Sequence, residues 1–149
     1  MEAKIIKRCT EADELFYRLH LVSKEMNRAF ETMAHTSLTK LEILFHIDLF
    51  GEMSQLELIR RLKLDASAVT RHLKRMEAEA FIQRKKESKD RRFMLLSLTD
   101  KGQRELKRLI AIKESLQDDI LSVLTNEQIV SVSKFIEHIS EQINDRGFK

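Results

Sequence analysis

Hydroxyl groups and cations share one side of a predicted helix near the middle of the chain. At 100° per residue, Val69, Leu73 and Met76 fall within about 60° of one another and define a buried side. The opposite side and its flanks then carry Ser67, Thr70, Arg71, Lys74 and Arg75. Such groups bind base edges and phosphates, and a helix fits the major groove of DNA. The pattern predicts a DNA-binding helix, with a merely solvated basic surface as the alternative.

A second charged group follows this helix, after a change of periodicity. Residues 82–85 and 93–98 have the pattern of short strands, and a polar segment joins them. We therefore expect a β-hairpin whose long exposed tip contains Lys89, Asp90, Arg91 and Arg92. A hairpin beside a DNA-reading helix can reach the minor groove, where negative potential attracts arginine. Asp90 lies two residues before Arg92 and can orient its guanidinium, although an ordinary charged loop has the same composition.

The charge distribution favours a polyanionic partner for this part of the chain. Residues 60–92 contain twelve basic and five acidic residues, which is a net charge of +7. The whole chain carries only +3, so the flanking segments together carry −4. Such asymmetry favours nucleic-acid binding over a uniformly solvated surface. A lysine-rich surface kept for solubility is the alternative.

The elements that position these groups are mostly helical. The 149 residues include no proline and only three glycines, which favours long helices with short joints. Apolar spacing predicts a first helix over residues 11–34, a second that ends at Gly51, and a third with Leu56, Ile59 and Leu62 inside. Helix starts are marked by an N-cap at Asp65 and by capping-box pairs at Thr39/Glu42, Ser54/Glu57 and Thr125/Gln128. The order α-α-α-α-β-β-α-α is that of a mainly α winged helix-turn-helix with a small two-stranded β-wing.

The terminal helices carry more apolar surface than the centre of the chain can cover. The last helix has a narrow stripe of branched side chains at steps of three and four: Ile129, Val132, Ile136, Ile139 and Ile143. A compact core built from residues 38–98 cannot easily cover this helix, its predecessor and the first helix together. We expect a homodimer, with residues 1–36 and 100–149 as the dimerisation region and residues 37–99 as the DNA-binding region. Packing into a bundle within one chain is the alternative.

Three segments resemble the MarR family of bacterial transcriptional regulators. They are the helix from Asp65 to Met76, the wing sequence Asp90-Arg91-Arg92, and the run from Leu95 to Gly102. The family's D-x-R signature matches Asp90 and Arg92, and its L-T-x-K-G signature matches residues 98–102. The likeness extends over essentially the whole chain. One departure is Ala80, which stands where the family usually has glycine at the end of the DNA-reading helix.

The resemblance implies roles for several residues. Arg92 would enter the minor groove with Asp90 as its orienting partner, and Arg75 would support the helix and the wing. The family is dimeric, so two helices related by a two-fold axis would read a pseudopalindromic operator, most often as a repressor. Control by a small-molecule effector is also implied, with Tyr17, His20 and His46 as candidate pocket residues. Ordinary packing or surface positions are the alternative for those three.

Other chemistry finds little support in the sequence. Cys9 is the only cysteine and lies six residues before the Leu15-Phe16 position where the family's peroxide sensors place theirs, so we expect an inert thiol. The five histidines form no closely spaced pair, and we expect neither metal, cofactor nor enzymatic activity. The lack of a membrane-spanning run and of paired cysteines favours the cytoplasm. Two other functions stay open: an architectural DNA-binding protein with little sequence specificity, and a helical protein-interaction module.

Overall fold

The computed structural model describes residues 11–90 and 93–147, and within them it contains six helices and three strands. The elements are α1 (Glu11–Ala34), α2 (Leu38–Phe50), β1 (Met53–Ser54), α3 (Gln55–Leu62), α4 (Ala66–Ala78), β2 (Ile82–Lys86), β3 (Met94–Leu98), α5 (Asp100–Leu121) and α6 (Asn126–Asp145). The predicted order of helices and hairpin strands is confirmed, and β1 is an addition to it.

Helix starts follow the predicted caps with one exception. The side chains of Ser54 and Asp65 each accept a hydrogen bond from the backbone N–H three residues later. Thr125 forms a complete capping box with Gln128. The predicted pair at Thr39 and Glu42 is wrong. Helix α2 begins earlier, because the Ser37 hydroxyl accepts the Lys40 N–H at 3.3 Å.

The β-wing belongs to a three-stranded antiparallel sheet of order β1-β3-β2, so the two-stranded expectation was too small. Ile82 pairs with Leu98 and Lys86 with Met94, which forms the predicted hairpin. Met53 and Ser54 then pair with Leu96 and Leu95. Two residues are too few for a detectable alternation, so periodicity could not reveal β1. The short strand ties the start of α3 to the base of the hairpin.

One apolar core holds α2 to α5 against the sheet. Its most completely buried large side chains are Ile43, Leu44, Leu58, Val69, Leu73, Ile82, Leu96 and Leu109. In α3 the sequence placed Leu56 inside, but Leu56 is 59% exposed and Leu58 is fully buried. The inward face of α3 consists of Gln55, Leu58, Ile59 and Leu62, at helical spacing, and Leu56 lies off it.

Compactness divides the chain into a first unit that ends at Ile112 and a second that begins at Lys113. The sequence-based division into residues 37–99 and two flanking segments stays a prediction. In the first unit α1 exposes Phe16, Val22 and Met26, among others. In the second unit α6 buries no residue at all. No helix in the described ranges is long and apolar enough to cross a membrane.

Candidate nucleic-acid interface

Helix α4 presents the predicted face to solvent. Val69, Leu73 and Met76 are at most 2% exposed and fix the helix against the core. The predicted contact residues are all classed as exposed: Ser67, Thr70, Arg71, Lys74 and Arg75. The structure therefore brings these five together on the surface of one helix, although their contact with DNA stays a prediction.

The two hydroxyl groups on this face are already hydrogen-bonded within the protein. Ser67 donates to the carboxylate of Asp65, which also caps the helix through the Ala68 N–H at 2.9 Å. The Ser67 hydroxyl, followed by the Ala68 N–H, lowers the pKa of Asp65. Thr70 donates to the Ala66 carbonyl at 2.8 Å and accepts from the Gln55 amide at 2.9 Å. Both hydroxyls thus take part in positioning the helix.

The cations on α4 differ in how they are held. Arg75 pairs with Glu79 at 2.8 Å, which raises the pKa of the guanidinium and lowers that of the carboxyl. Among the described residues, Arg71 and Lys74 take part in no hydrogen bond or ion pair. Arg71 attracts the Asp65 carboxylate only through its charge, and a cation without a hydrogen bond or ion pair can approach a phosphate or base edge without first breaking a bond. Arg71 and Lys74 are therefore the best-placed donors on this surface.

The hairpin is fastened to α4 by an ion pair that the sequence did not predict. Arg84 in β2 donates to Glu77 in α4 at 3.0 Å and to Gln55 in α3 at 3.1 Å. Arg75 bonds to Glu79, the residue that caps the end of the same helix, and the supporting role that the resemblance implied for it stays a prediction. Sequence spacing carried no signal for the Arg84 contacts, since its partners lie 7 and 29 residues away.

The tip of the hairpin is described only as far as Asp90. Lys89 is exposed, and the Asp90 carbonyl accepts the Phe93 N–H at 3.1 Å. The Glu87 N–H in turn bonds to the Phe93 carbonyl at 2.9 Å, which closes the hairpin. The predicted minor-groove residue Arg92 and its neighbour Arg91 lie outside the described residues.

The L-T-x-K-G segment joins α5 to the end of α4. Ala80 adopts the left-handed φ of 61° that a glycine would adopt without strain, as its place in the sequence suggested. The Thr99 hydroxyl donates to the Ala80 carbonyl at 2.6 Å, and Lys101 donates to the Glu79 carbonyl at 2.7 Å. A Cβ on Gly102 would lie 2.0 Å from the Phe81 carbonyl oxygen, so only glycine fits there without movement.

A buried ion cluster lies on the other side of α4. Lys40 is almost fully buried and pairs with Glu105 at 2.9 Å, and its ammonium lies 3.7 Å from the centre of the Phe81 ring. Arg108 also pairs with Glu105 and donates to the Ala34 carbonyl at 3.1 Å. Hydrogen bonds, first from Arg108 and then from Lys40, lower the pKa of Glu105 to about 2. The cluster joins the end of α1, the start of α2 and α5.

This cluster forms one wall of a cleft of about 560 Å³, to which α4 contributes His72, Arg75, Met76 and Glu79. None of the predicted effector-pocket residues lines it. Tyr17 and His20 are exposed on α1, while His46 is half-buried on α2 and bonds to the Glu42 carbonyl at 2.8 Å. Their role in effector binding stays a prediction.

The predictions about metal and thiol chemistry are only partly accessible in the described residues. Over residues 11–90 and 93–147, no three His, Cys, Asp or Glu side chains are grouped as a metal ion requires. Cys9 lies outside the described residues.

Comparison with known proteins identifies the family. The sequence pattern of the MarR family matches residues 36–93. An HTH-type transcriptional regulator of Bacillus subtilis, YdgJ, is 30% identical over 140 residues, which are 92% of this chain and 84% of YdgJ. The chain belongs to the MarR family. It is thus a DNA-binding transcriptional regulator of the MarR type, as the sequence predicted.

Other known proteins are similar to this chain in sequence or in fold. The HTH-type transcriptional repressor MdtR of B. subtilis is 28% identical, and the match covers 80% of this chain and 77% of MdtR. The ligand-free organohalide-sensing regulator RdhR-CbdbA1625 has the same fold, with a TM-score of 0.84 at 20% identity over 97% of this chain and 88% of that one. A MarR mutant from E. coli, solved in complex with operator DNA, superposes with a TM-score of 0.77 at 20% identity over 87% and 95%.

Proposed function

We propose that this chain acts as a homodimeric, sequence-specific repressor that reads a pseudopalindromic operator through α4 and the hairpin. The observation that carries the proposal is the exposed pair Arg71 and Lys74, without internal bonds among the described residues, on a helix bonded to the hairpin strand by Arg84. The MarR mutant solved with operator DNA supports this use of the fold. We infer a location in the cytoplasm of a bacterial cell, where such a regulator has access to DNA.

Selection of bound sites from a random duplex pool tests the proposal directly. We expect an enriched pseudopalindrome whose half-sites lie about 34 Å apart, one turn of the double helix, because a two-fold dimer presents two α4 helices. The selected site should bind at least about 1,000-fold more tightly than random duplex at the same salt concentration. A ratio near one would favour an architectural role. A stable dimer that ignores DNA even at low salt would favour a protein-interaction module.

Arg92 provides a separate test of the wing. Arg92→Ala should weaken binding to the selected site by about tenfold, because a minor-groove arginine loses its contact with concentrated negative potential. Dimerisation should be unchanged in light scattering. Wild-type affinity in this variant would remove the hairpin tip from the proposed interface.

We further propose that a small organic molecule releases the protein from DNA by binding in the cleft beside the Lys40–Glu105–Arg108 cluster. Arg75, Arg108 and Lys40 give this cleft three cations against two carboxylates, which favours an acidic or phenolic ligand. The related organohalide-sensing regulator, solved with 2,4-dichlorophenol, supports ligand binding in this family. That phenol is a practical probe: it should raise the melting temperature of the wild type and not that of Arg108→Gln. Arg104→Gln, an exposed change on the same helix, is the matched control.

A further inference from the structure

Three side-chain hydrogen bonds link α4 to α3, α3 to β2 and β2 back to α4. The stretch of α4 between Thr70 and Glu77 closes them into a ring. Gln55 donates from Nε2 to the Thr70 hydroxyl at 2.9 Å. Its Oε1 accepts from Arg84 at 3.1 Å, and Arg84 donates from Nε to Glu77 at 3.0 Å. The ring therefore touches the first half of the DNA-reading helix at Thr70 and its second half at Glu77, with the hairpin between them.

The direction of every bond in the ring is fixed by chemistry. Arginine can only donate, so Oε1 of Gln55 must face Arg84 and Nε2 must face Thr70. The Thr70 oxygen then accepts, and its proton goes to the Ala66 carbonyl at 2.8 Å. The Thr70 hydroxyl has no proton left to donate to a base. Its position on the exposed face thus does not make it a donor toward DNA.

Gln55 is itself held at both ends. It is half-buried at the first position of α3, directly after Ser54, which pairs with Leu95 in β3 and caps α3 through the Glu57 N–H. The Arg84 side chain is only 26% exposed, so its bonds are partly shielded from water. A change at Gln55 would leave one donor and one acceptor of the ring without partners, while the apolar core would keep its contacts.

We propose that Gln55 is a positioning residue for DNA recognition, which holds α4 and the hairpin in one fixed arrangement through Thr70 and Arg84. This inference rests on the proposed sequence-specific function. Thr70 acts through Gln55 and not by reading a base. Loss of the ring lets helix and hairpin move independently, so binding to the operator weakens more than binding to random duplex, which needs no fixed geometry.

Two substitutions at Thr70 separate positioning from base reading. Thr70→Ser keeps the hydroxyl and should bind the selected operator within about twofold of wild type, since the ring stays closed. Thr70→Val keeps the shape of the side chain without its hydroxyl. Its affinity for the selected operator should be about tenfold lower, and the selection should return the same base preferences as for the wild type. A changed preference at one base pair in Thr70→Val, or a tenfold loss in Thr70→Ser, would overturn the proposal.

Gln55→Leu supplies the second half of the test. Alone it should lower the affinity for the operator by about tenfold and that for random duplex by less than about threefold. Combined with Thr70→Val it should lower the operator affinity no more than either substitution alone, because both break the same ring. Gln83→Leu, at an exposed glutamine in β2, is the matched control. Independent losses that multiply to about 100-fold would refute a shared ring.

The same experiment includes controls for the sequence specificity of the wild type and for the folding of the variants. If the wild type itself shows no preference for a selected site, the proposed function fails, and the inference about Gln55 fails with it. If the wild type is specific and Gln55→Leu matches it, only the inference fails. Circular dichroism reports folding, and if Gln55→Leu does not fold, the Thr70→Ser and Thr70→Val pair still decides the result.

Discussion

Residues 38–98 and the terminal helices α1 and α6 differ in how much of the apolar core they supply, because most of the buried apolar side chains lie in the central segment. The central segment buries Ile43, Leu58 and Leu96 completely, whereas α1 leaves Phe16 54% exposed and α6 leaves Ile136 51% exposed. A lobe that satisfies its own core can fold on one chain, but an apolar helix face in water needs a partner. The contrast supports the proposed division, in which the central segment reads DNA and the terminal helices pack against a second copy.

The largest effect is expected from a charge placed in the apolar face of α6. Ile136→Glu should convert the proposed dimer to a monomer and lower operator affinity by at least about 100-fold, since one reading helix replaces two. Light scattering and a DNA titration measure the two quantities. Ser131→Glu adds the same charge on another side of α6 and should leave both unchanged. A dimeric Ile136→Glu would show that this stripe is not the interface.

The contact between α5 and the end of the central segment can be tested at Gly102, where a substitution should lower stability without changing dimerisation. Gly102→Ala places a methyl group against the Phe81 carbonyl, so α5 must shift from the end of α4. We expect a loss of about 2–3 kcal/mol in the free energy of unfolding, measured by urea denaturation. Arg104→Ala, two residues along the same helix, should change it by less than about 0.5 kcal/mol. Unaltered stability in Gly102→Ala would contradict the close approach.

The ion cluster offers a smaller effect with a pH signature. The pKa of Glu105 is held at about 2, below its value of about 4.3 in an unfolded chain, so its charge stabilises the folded state above that unfolded value. Glu105→Gln should cost about 1–2 kcal/mol at pH 7, because Lys40 stays buried without a carboxylate. The difference from wild type should shrink as the pH falls from about 5 to 2.

Urea titrations across that range measure the difference directly. Glu114→Gln removes a carboxylate from an exposed position on the same helix, and its curve should follow that of the wild type. A gap between wild type and Glu105→Gln that stays constant with pH would mean that the charge of Glu105 is not what stabilises the cluster.

The smallest effect concerns a single surface cation. Lys74→Ala should lower affinity by about three- to tenfold for selected and random duplex alike and reduce the slope of log K against log salt by about one, as expected for one lost phosphate contact. Lys107→Ala, an exposed cation on α5, should change neither quantity. A loss confined to one base pair of the selected site would instead assign Lys74 to base reading.

Local signals predicted most of the fold. The end of α1 at Ala34 and the caps at Ser54 and Asp65 depend on neighbouring residues, and the structure confirms them. The errors arose where local signals competed or were too short. Ser37 and Thr39 are both good caps two residues apart, and β1 has only two residues.

Fewer features of the site than of the fold could be predicted from the sequence. Helical periodicity correctly placed Arg71 and Lys74 on the exposed side of α4, because the buried side is set by residues in the same helix. It gave no sign that the hydroxyl of Thr70 is engaged by Gln55, fifteen residues away, or that Arg84 holds the hairpin. Those bonds depend on the tertiary packing of three elements, which no local pattern encodes.

Two of the outward-facing side chains of α4, Arg71 and Lys74, take no part in the bonds that fix the position of the helix. Arg71 and Lys74 are exposed and form no hydrogen bond or ion pair within the described part of the chain, so replacing either should change the free energy of unfolding by no more than about 0.5 kcal/mol. After a gene duplication, one copy could therefore drift at these two codons and acquire a new set of target genes. Its folded structure would be inherited unchanged, and the divergence of regulators from such an ancestor would need few mutations.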